Sequence, residues 1–406
     1  MRFISSLFLL AVGAVLAAPS PASVEVDEAV SDLSEITGWK PLKRVQCDLM
    51  DRAALKKYLE QKVKEDIKPE EIRAEELILK KFGLVPQDFG LARTMVDLLT
   101  EQAAAFYDYH KKKLFVLEGG DPAGKPMVMI HELAHALADQ RFDLGKFIKK
   151  GKSDDSSLAR MAVMEGQATW LMMASSSKKA GMSLKEMPAA LLEMAGRGSE
   201  TAAAQYPVLA SAPLYIRSSL LFPYSEGLRF NHTVIQKLGQ SGFSKVFQDP
   251  PVSSQQILHP DVYFADGKPL EVVLPKLPSE RDWKTLTSGS VGEFDHSVLL
   301  EQYVGKAEAD DIAPHWRGAV AAVVEHKRDR RPVLLYASEW DSLESARKMF
   351  EAYRRVLKGK WKLMKIATDT PASLTGAGDD GDFRVWIAGT RVSSVEGLQP
   401  ADSTLR

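Results

Sequence analysis

His131-Glu132-Leu133-Ala134-His135 fits the pattern H-E-x-x-H. On a helix, positions i and i+4 lie one turn apart on one face, so both imidazoles can reach one metal ion. Glu132 is rotated about 100° from His131, close enough to meet a water molecule held by that ion. Zinc takes neutral imidazole and carboxylate readily, and a catalytic zinc site keeps one position open beside three protein ligands. A third ligand is therefore needed. No His stands within ten residues downstream, so the longer H-E-x-x-H-x-x-G-x-x-H arrangement is absent. Asp139 and Asp143 are too close along the same helix to serve easily. Asp139, one turn beyond His135, is placed instead to orient that ring as a supporting acceptor.

Glu165 is the better ligand. It stands thirty positions beyond His135, in Met161-Ala162-Val163-Met164-Glu165-Gly166-Gln167-Ala168. A carboxylate in so apolar a helix is costly unless a cation or donors compensate it. Pairing with Arg160 is the alternative. Gly166 beside it lets another backbone, or the metal helix itself, approach closely. Two neutral imidazoles and one carboxylate leave the zinc site net positive, which helps a bound water ionise. Amide hydrolysis also needs a donor aimed at the developing oxyanion. Tyr224, Arg229, His232, His259 and Tyr263 are the candidates. Tyr224, at the start of a helix after Pro223, and His259, in a loop before Pro260, come first.

H-E-x-x-H on one helix and E-G-x-A on the next resemble the gluzincin branch of zinc metallopeptidases, to which thermolysin belongs. The resemblance implies His131 and His135 as ligands, Glu132 as general base and Glu165 as third ligand. The spacing to Glu165 is longer than in thermolysin, and Thr169 stands where a supporting Asp would be expected. More widely, the chain resembles a group of secreted bacterial proteins with H-E-x-x-H. The matching stretches are Ala105-Phe106-Tyr107-Asp108, His131 to Leu144, Met164 to Ala168, Phe222-Pro223-Tyr224 with Gly227 and Phe230, Gln256-Ile257-Leu258-His259-Pro260, and Trp340-Asp341. They span most of residues 45 to 400. This wider resemblance implies a metallopeptidase-like fold and no particular substrate.

The elements that must position these residues are legible as patterns. Leu55, Leu59 and Val63 recur at helical spacing, and Pro69 opens a second helix that ends at Gly83. A third helix is predicted from Phe89 to Ala105. Tyr107 to Tyr109 reads as a turn, and Lys113 to Leu117 as a strand. That strand is the candidate edge for an extended substrate. Pro126 suits the first turn of the motif helix, which runs to Phe142. A buried helix, apolar nearly all round, follows from Ser157 to Ala174. Further helices are predicted at Pro188–Ala195, Ala212–Leu221, Glu226–Leu238 and Phe243–Phe247, then an irregular stretch to Val273. From His296 the class changes. Val320–Val324, Val333–Ala337, Trp361–Ile366 and Phe383–Ile387 read as strands around an amphipathic helix, Ser342–Leu357. Asp379, Asp380 and Asp382 around Gly381 lack calcium-site spacing and read as a hairpin turn.

The fold class expected is therefore α+β. A mainly helical zincin-like domain with a small sheet, residues 40–290, is followed by an α+β accessory domain, residues 296–400. The 406 residues are 45% hydrophobic and 26% charged, an ordinary globular balance. With a formal net charge of −1, nothing in the balance argues for nucleic acid or an anionic membrane as partner, and none is expected. Lys111, Lys112 and Lys113 read as a solvated strand end. The single Cys47 excludes both an internal disulfide and a Cys-rich metal site. Arg2, the uncharged apolar run Phe3–Leu16 and the small Ala17 and Ala18 read as a signal peptide, residues 1–17, cleaved before Ala18. The run is too short to span a membrane stably. Residues 18–39 read as an acidic, disordered linker. The expectation is a secreted or periplasmic metallopeptidase with one zinc ion and a peptide or protein substrate. The rival is an inert zinc-binding envelope chaperone or assembly factor.

Overall fold

The computed structural model describes residues 22–119, 125–188 and 206–399. The expected signal peptide lies outside the described residues, as does most of the helix expected at Pro188–Ala195. The architecture is α+β. Strands β1 (Gln46–Met50), β2 (Ala105–Asp108) and β3 (Lys113–Leu117) form one small sheet in the order β1-β3-β2. Strands β4 (Trp283–Ser290), β5 (Trp316–His326), β6 (Pro332–Trp340), β7 (Lys365–Thr370), β8 (Ser373–Gly378), β9 (Gly381–Ala388) and β10 (Arg391–Leu398) form a second sheet. Its order is β4-β5-β6-β10-β9-β8-β7, antiparallel throughout. β4 lies within the residues assigned to the catalytic unit, yet it is an edge strand of the C-terminal sheet. One apolar core runs from Val26 to Val392 through both parts.

Local signals set most helix ends. Pro69 takes the first helical position of Pro69–Phe82, and Gly83 closes it at φ 74°, a left-handed turn that glycine adopts without a Cβ clash. Ser153 caps the helix Asp154–Lys179 by accepting from the Ser156 amide. The amphipathic helix Leu343–Lys360 buries Ala346, Met349, Phe350, Tyr353, Val356 and Leu357, a face with helical spacing. Asp379 accepts from the Lys362 and Leu363 amides at the β8–β9 turn, so its carboxylate holds the backbone.

Three local expectations are corrected. Residues 18–39 were expected to be disordered, but Ala22–Thr37 is a helix. Val26, Ala29, Val30, Leu33 and Ile36 recur on one face and pack on the core, and this apolar stripe outweighs the acidic composition. Ala212–Leu221 and Glu226–Leu238 are one continuous helix, Leu214–Leu238, with Pro223 inside it. Proline costs an interior helix one hydrogen bond and a steric clash. Here tertiary packing carries that cost, because Phe222, Pro223, Gly227, Leu228 and Phe230 are all buried. Finally, β3 cannot be the edge that takes a substrate. It is parallel to β1 on one side and antiparallel to β2 on the other, so both its hydrogen-bonding rows are used.

Lys360 and Glu396 form an almost wholly buried ion pair, 2% and 0% exposed. Tyr353 and Ser394 donate to the other carboxylate oxygen at 2.7 and 2.8 Å. Lys360 also donates to the Lys81 carbonyl at 2.8 Å. Each polar atom of the pair therefore has a partner, as burial demands, and the network ties the helix Pro69–Phe82 to the C-terminal sheet.

Candidate metal centre

The motif helix is Lys125–Phe142, and it buries His131 and His135. The helix Asp154–Lys179 packs against it and brings Glu165 to the same point. Nε2 of His131 lies 3.1 Å from Oε2 of Glu165 and 3.1 Å from Nε2 of His135. Nε2 of His135 lies 3.2 Å from the same carboxylate oxygen. Three buried donor atoms thus converge, and they can hold a metal ion. Among the described residues no other group of three His, Cys, Asp or Glu side chains does so. Burial would push the Glu165 carboxyl up, but the charges and hydrogen bonds of His135 and His131 outweigh it and hold it well below the ordinary range.

The approach of the two long helices depends on glycine. A Cβ on Gly166 would lie 2.0 Å from the carbonyl carbon of Gly227 and 2.2 Å from its oxygen. A Cβ on Gly227 would lie 2.2 Å from the Ala162 oxygen. The backbone that Gly166 admits therefore belongs to the helix Leu214–Leu238, not to the motif helix. Asn231 clamps the crossing, donating to the Gly227 carbonyl at 2.8 Å and the Val163 carbonyl at 3.2 Å.

Glu132 stands beside the triad, half-buried, and its Oε2 accepts the Tyr107 amide at 2.7 Å. Burial pushes its carboxyl up to about 7. The His131 charge and the Tyr107 amide oppose that rise, and Glu165 adds to it. Tyr107 lies on β2, the outer strand next to the motif helix. Asp139 does not reach His135. It accepts from the Tyr107 hydroxyl at 2.9 Å, from Lys112 Nζ at 3.0 and 2.8 Å and from the Leu144 amide at 2.9 Å. Its role is to pin the β2–β3 hairpin and the next helix to the motif helix. The lysine run is likewise engaged, Lys112 with Asp139 and Lys113 with Asp48.

The other named residues sort by their contacts. The Tyr224 ring stacks on His131, centroids 6.0 Å apart, and burial together with the nearby Glu165 and Glu132 raises its pKa. His259 pairs instead with Glu293 at 2.7 Å, and this partner raises its pKa. Arg229 pairs with Glu226 and donates to the Leu258 carbonyl. His232 accepts the Trp170 indole N–H on Nδ1, which leaves Nε2 to donate to the Met187 carbonyl. Tyr263 donates to the Asp249 carbonyl. Arg160 donates to the Phe147 carbonyl and covers the Phe147 ring, so it is not the partner of Glu165. The Thr169 hydroxyl donates to the Glu165 backbone carbonyl, not to its carboxylate. Asp143 accepts from the Lys146 amide and pairs with its ammonium.

Sequence reasoning missed two residues at the site. Tyr109 lies in a turn, as expected, and from there its ring meets His135 edge-on with centroids 6.2 Å apart. Tyr107 supplies the amide that holds Glu132. The alternation Phe106, Tyr107, Asp108 was the available signal, but a four-residue strand is too short for a period to stand out.

Compared with protein-family models, with curated proteins and with solved structures, the chain gives no match. The functional reading therefore stands on the residues themselves. Glu165→Ala is expected to cost more metal affinity than the roughly 10–100-fold lost with a supporting group, with the helical signal in circular dichroism nearly unchanged. Elemental analysis of the purified variant checks this. Full metal content in Glu165→Ala, with loss in Asp139→Ala or Asp143→Ala, would move the third ligand to the first helix.

Proposed function

We propose that the protein is a secreted, zinc-dependent metallopeptidase of gluzincin-like type, with His131, His135 and Glu165 as ligands. The observation that carries this reading is the convergence of two imidazole nitrogens and one carboxylate oxygen beside a second glutamate, Glu132, which the Tyr107 amide holds outside the triad. Ligands about 2.0–2.1 Å from a tetrahedral zinc ion stand about 3.3 Å from one another. The three donor atoms here are 3.1–3.2 Å apart, so the set fits that ion with little adjustment. When bound, zinc supplies a Lewis acid that polarises the scissile carbonyl and acidifies water.

The chain's own residues do the rest. Glu132 takes a proton from the attacking water as its oxygen bonds to the carbonyl carbon. It then delivers that proton to the leaving nitrogen as the C–N bond breaks, giving a carboxylic acid and an amine, which then exchange a proton to become carboxylate and ammonium. A carboxyl moved towards neutrality by its surroundings suits both transfers. Tyr224, stacked on His131, is the donor for the developing oxyanion. His259, engaged with Glu293, is not assigned this part. The outer edge of β2 takes the extended substrate, because the Tyr107 amide there points at Glu132.

The test is metal analysis with a peptide-library digest, run on the mature protein with and without chelator and with zinc restored. Cleavage that follows zinc supports the reading. A protein that holds zinc and cleaves nothing across broad sequences and pH is the inert envelope factor instead. One that holds no metal is neither. Export rests on the charged start, apolar run and small residues of the N-terminus, so the mature chain should begin at or near Ala18. N-terminal sequencing decides it, and an intact Met1 on soluble cytoplasmic protein would sink the idea. Among the described residues no helix is long and apolar enough to cross a membrane.

A further inference from the structure

Tyrosines in this fold seldom leave a buried hydroxyl idle. Tyr107 donates to Asp139, Tyr215 to Asp295, Tyr263 to the Asp249 carbonyl and Tyr353 to Glu396. Burial makes an unpaired hydroxyl costly, which accounts for the pattern. Tyr109 departs from it. The residue is only 6% exposed, yet its hydroxyl bonds to none of the described residues. Its ring is fixed by edge-on contacts with Tyr107 at 5.6 Å and His135 at 6.2 Å. Burial raises its pKa most, and the nearby Glu165, Glu132 and Tyr224 add to that rise, in keeping with a ring packed on His135. Tyr224 lies on His131 and Tyr109 on His135, so the two phenols flank the histidine pair.

We propose that Tyr109 is a second oxyanion-binding residue, its hydroxyl donating to the substrate carbonyl oxygen from the His135 side as that oxygen gains negative charge. The inference rests on the metallopeptidase reading and adds to it a donor from the hairpin beside the edge strand. A buried phenol fixed by two edge-on ring contacts, with no acceptor among the described residues, needs little reorganisation on meeting the oxyanion.

Tyr109→Phe keeps the ring and its packing and removes only the donor. The probe is acetohydroxamate, an oxygen chelator small enough to need no substrate pocket, titrated into the full cobalt(II)-loaded chain and followed by visible absorbance. The expected result is normal cobalt uptake with hydroxamate binding weakened about ten-fold or more, the scale of a lost hydrogen bond to a charged oxygen. On a peptide the wild type cleaves, kcat should fall roughly 10²–10³-fold with KM nearly unchanged. Equal hydroxamate affinity in Tyr109→Phe and wild type overturns the proposal alone. Loss of cobalt in Tyr109→Phe overturns it too, since the residue would then hold the metal or the fold. A wild type that binds cobalt and no hydroxamate rejects the metallopeptidase reading itself. Fluorotyrosine placed at 109 gives a check that needs no deletion: its fluorine resonance should shift on adding hydroxamate, and an unmoved resonance overturns the assignment.

Discussion

Glu132→Gln should keep its metal and lose its hydrolysis. The amide has the size of the carboxylate, and its oxygen can still accept the Tyr107 N–H now held at 2.7 Å. The side chains that could hold the metal ion are His131, His135 and Glu165, whose donor atoms the change does not touch. What disappears is the group proposed as base. General acid–base catalysis contributes roughly 10²–10⁴ in rate, and a misplaced water adds to the loss. His131→Ala should behave differently, losing metal and activity together. Elemental analysis and turnover on one cleaved peptide separate the two. Wild-type turnover in Glu132→Gln would reject the mechanism.

Gly166→Ala carries the largest structural effect. In an open helix this substitution stabilises by about 1 kcal/mol, because glycine is a poor helix former. Here the new Cβ would fall 2.0 Å from the Gly227 carbonyl carbon, and backbone cannot rotate aside as a side chain can. The helices Asp154–Lys179 and Leu214–Leu238 must separate or shift, which reverses the sign. Overpacking of a core costs about 1–3 kcal/mol, and a backbone collision belongs at the upper end. The shift also moves Glu165, the next residue, away from the histidines. The expected result is a loss of about 3 kcal/mol in urea unfolding, with metal content reduced in the protein that still folds. Gly227→Ala should do the same, since its Cβ would meet the Ala162 oxygen at 2.2 Å. Stability equal to wild type in either variant would mean the crossing is looser than its geometry states.

The site was read from the chain because its chemistry is written at short range. His131, Glu132 and His135 occupy one helix, where four-residue spacing alone puts two imidazoles on one face. Glu165 was found by a different signal, a carboxylate in an otherwise apolar helix, whose cost demands a partner elsewhere. The helices with clear ends, such as Pro69–Phe82 between its proline and Gly83, followed from rules that act within one turn.

Long-range packing decided the rest. Sequence could not say that β3 is a central strand and β2 the edge, because edge status is a property of neighbours and not of residues. Nor could it say that the helix through Pro223 continues, since only the surrounding core offsets the lost hydrogen bond. Asp139 sits one turn from His135, yet the hairpin folds over it and claims its oxygens for Tyr107 and Lys112. Tyr109, silent in the sequence, meets His135 through the same hairpin. The chain by itself determined which three groups could hold a metal ion. Tertiary structure chose which hydroxyls, amides and strand edge surround them, because those partners lie tens of residues away and are joined only by packing.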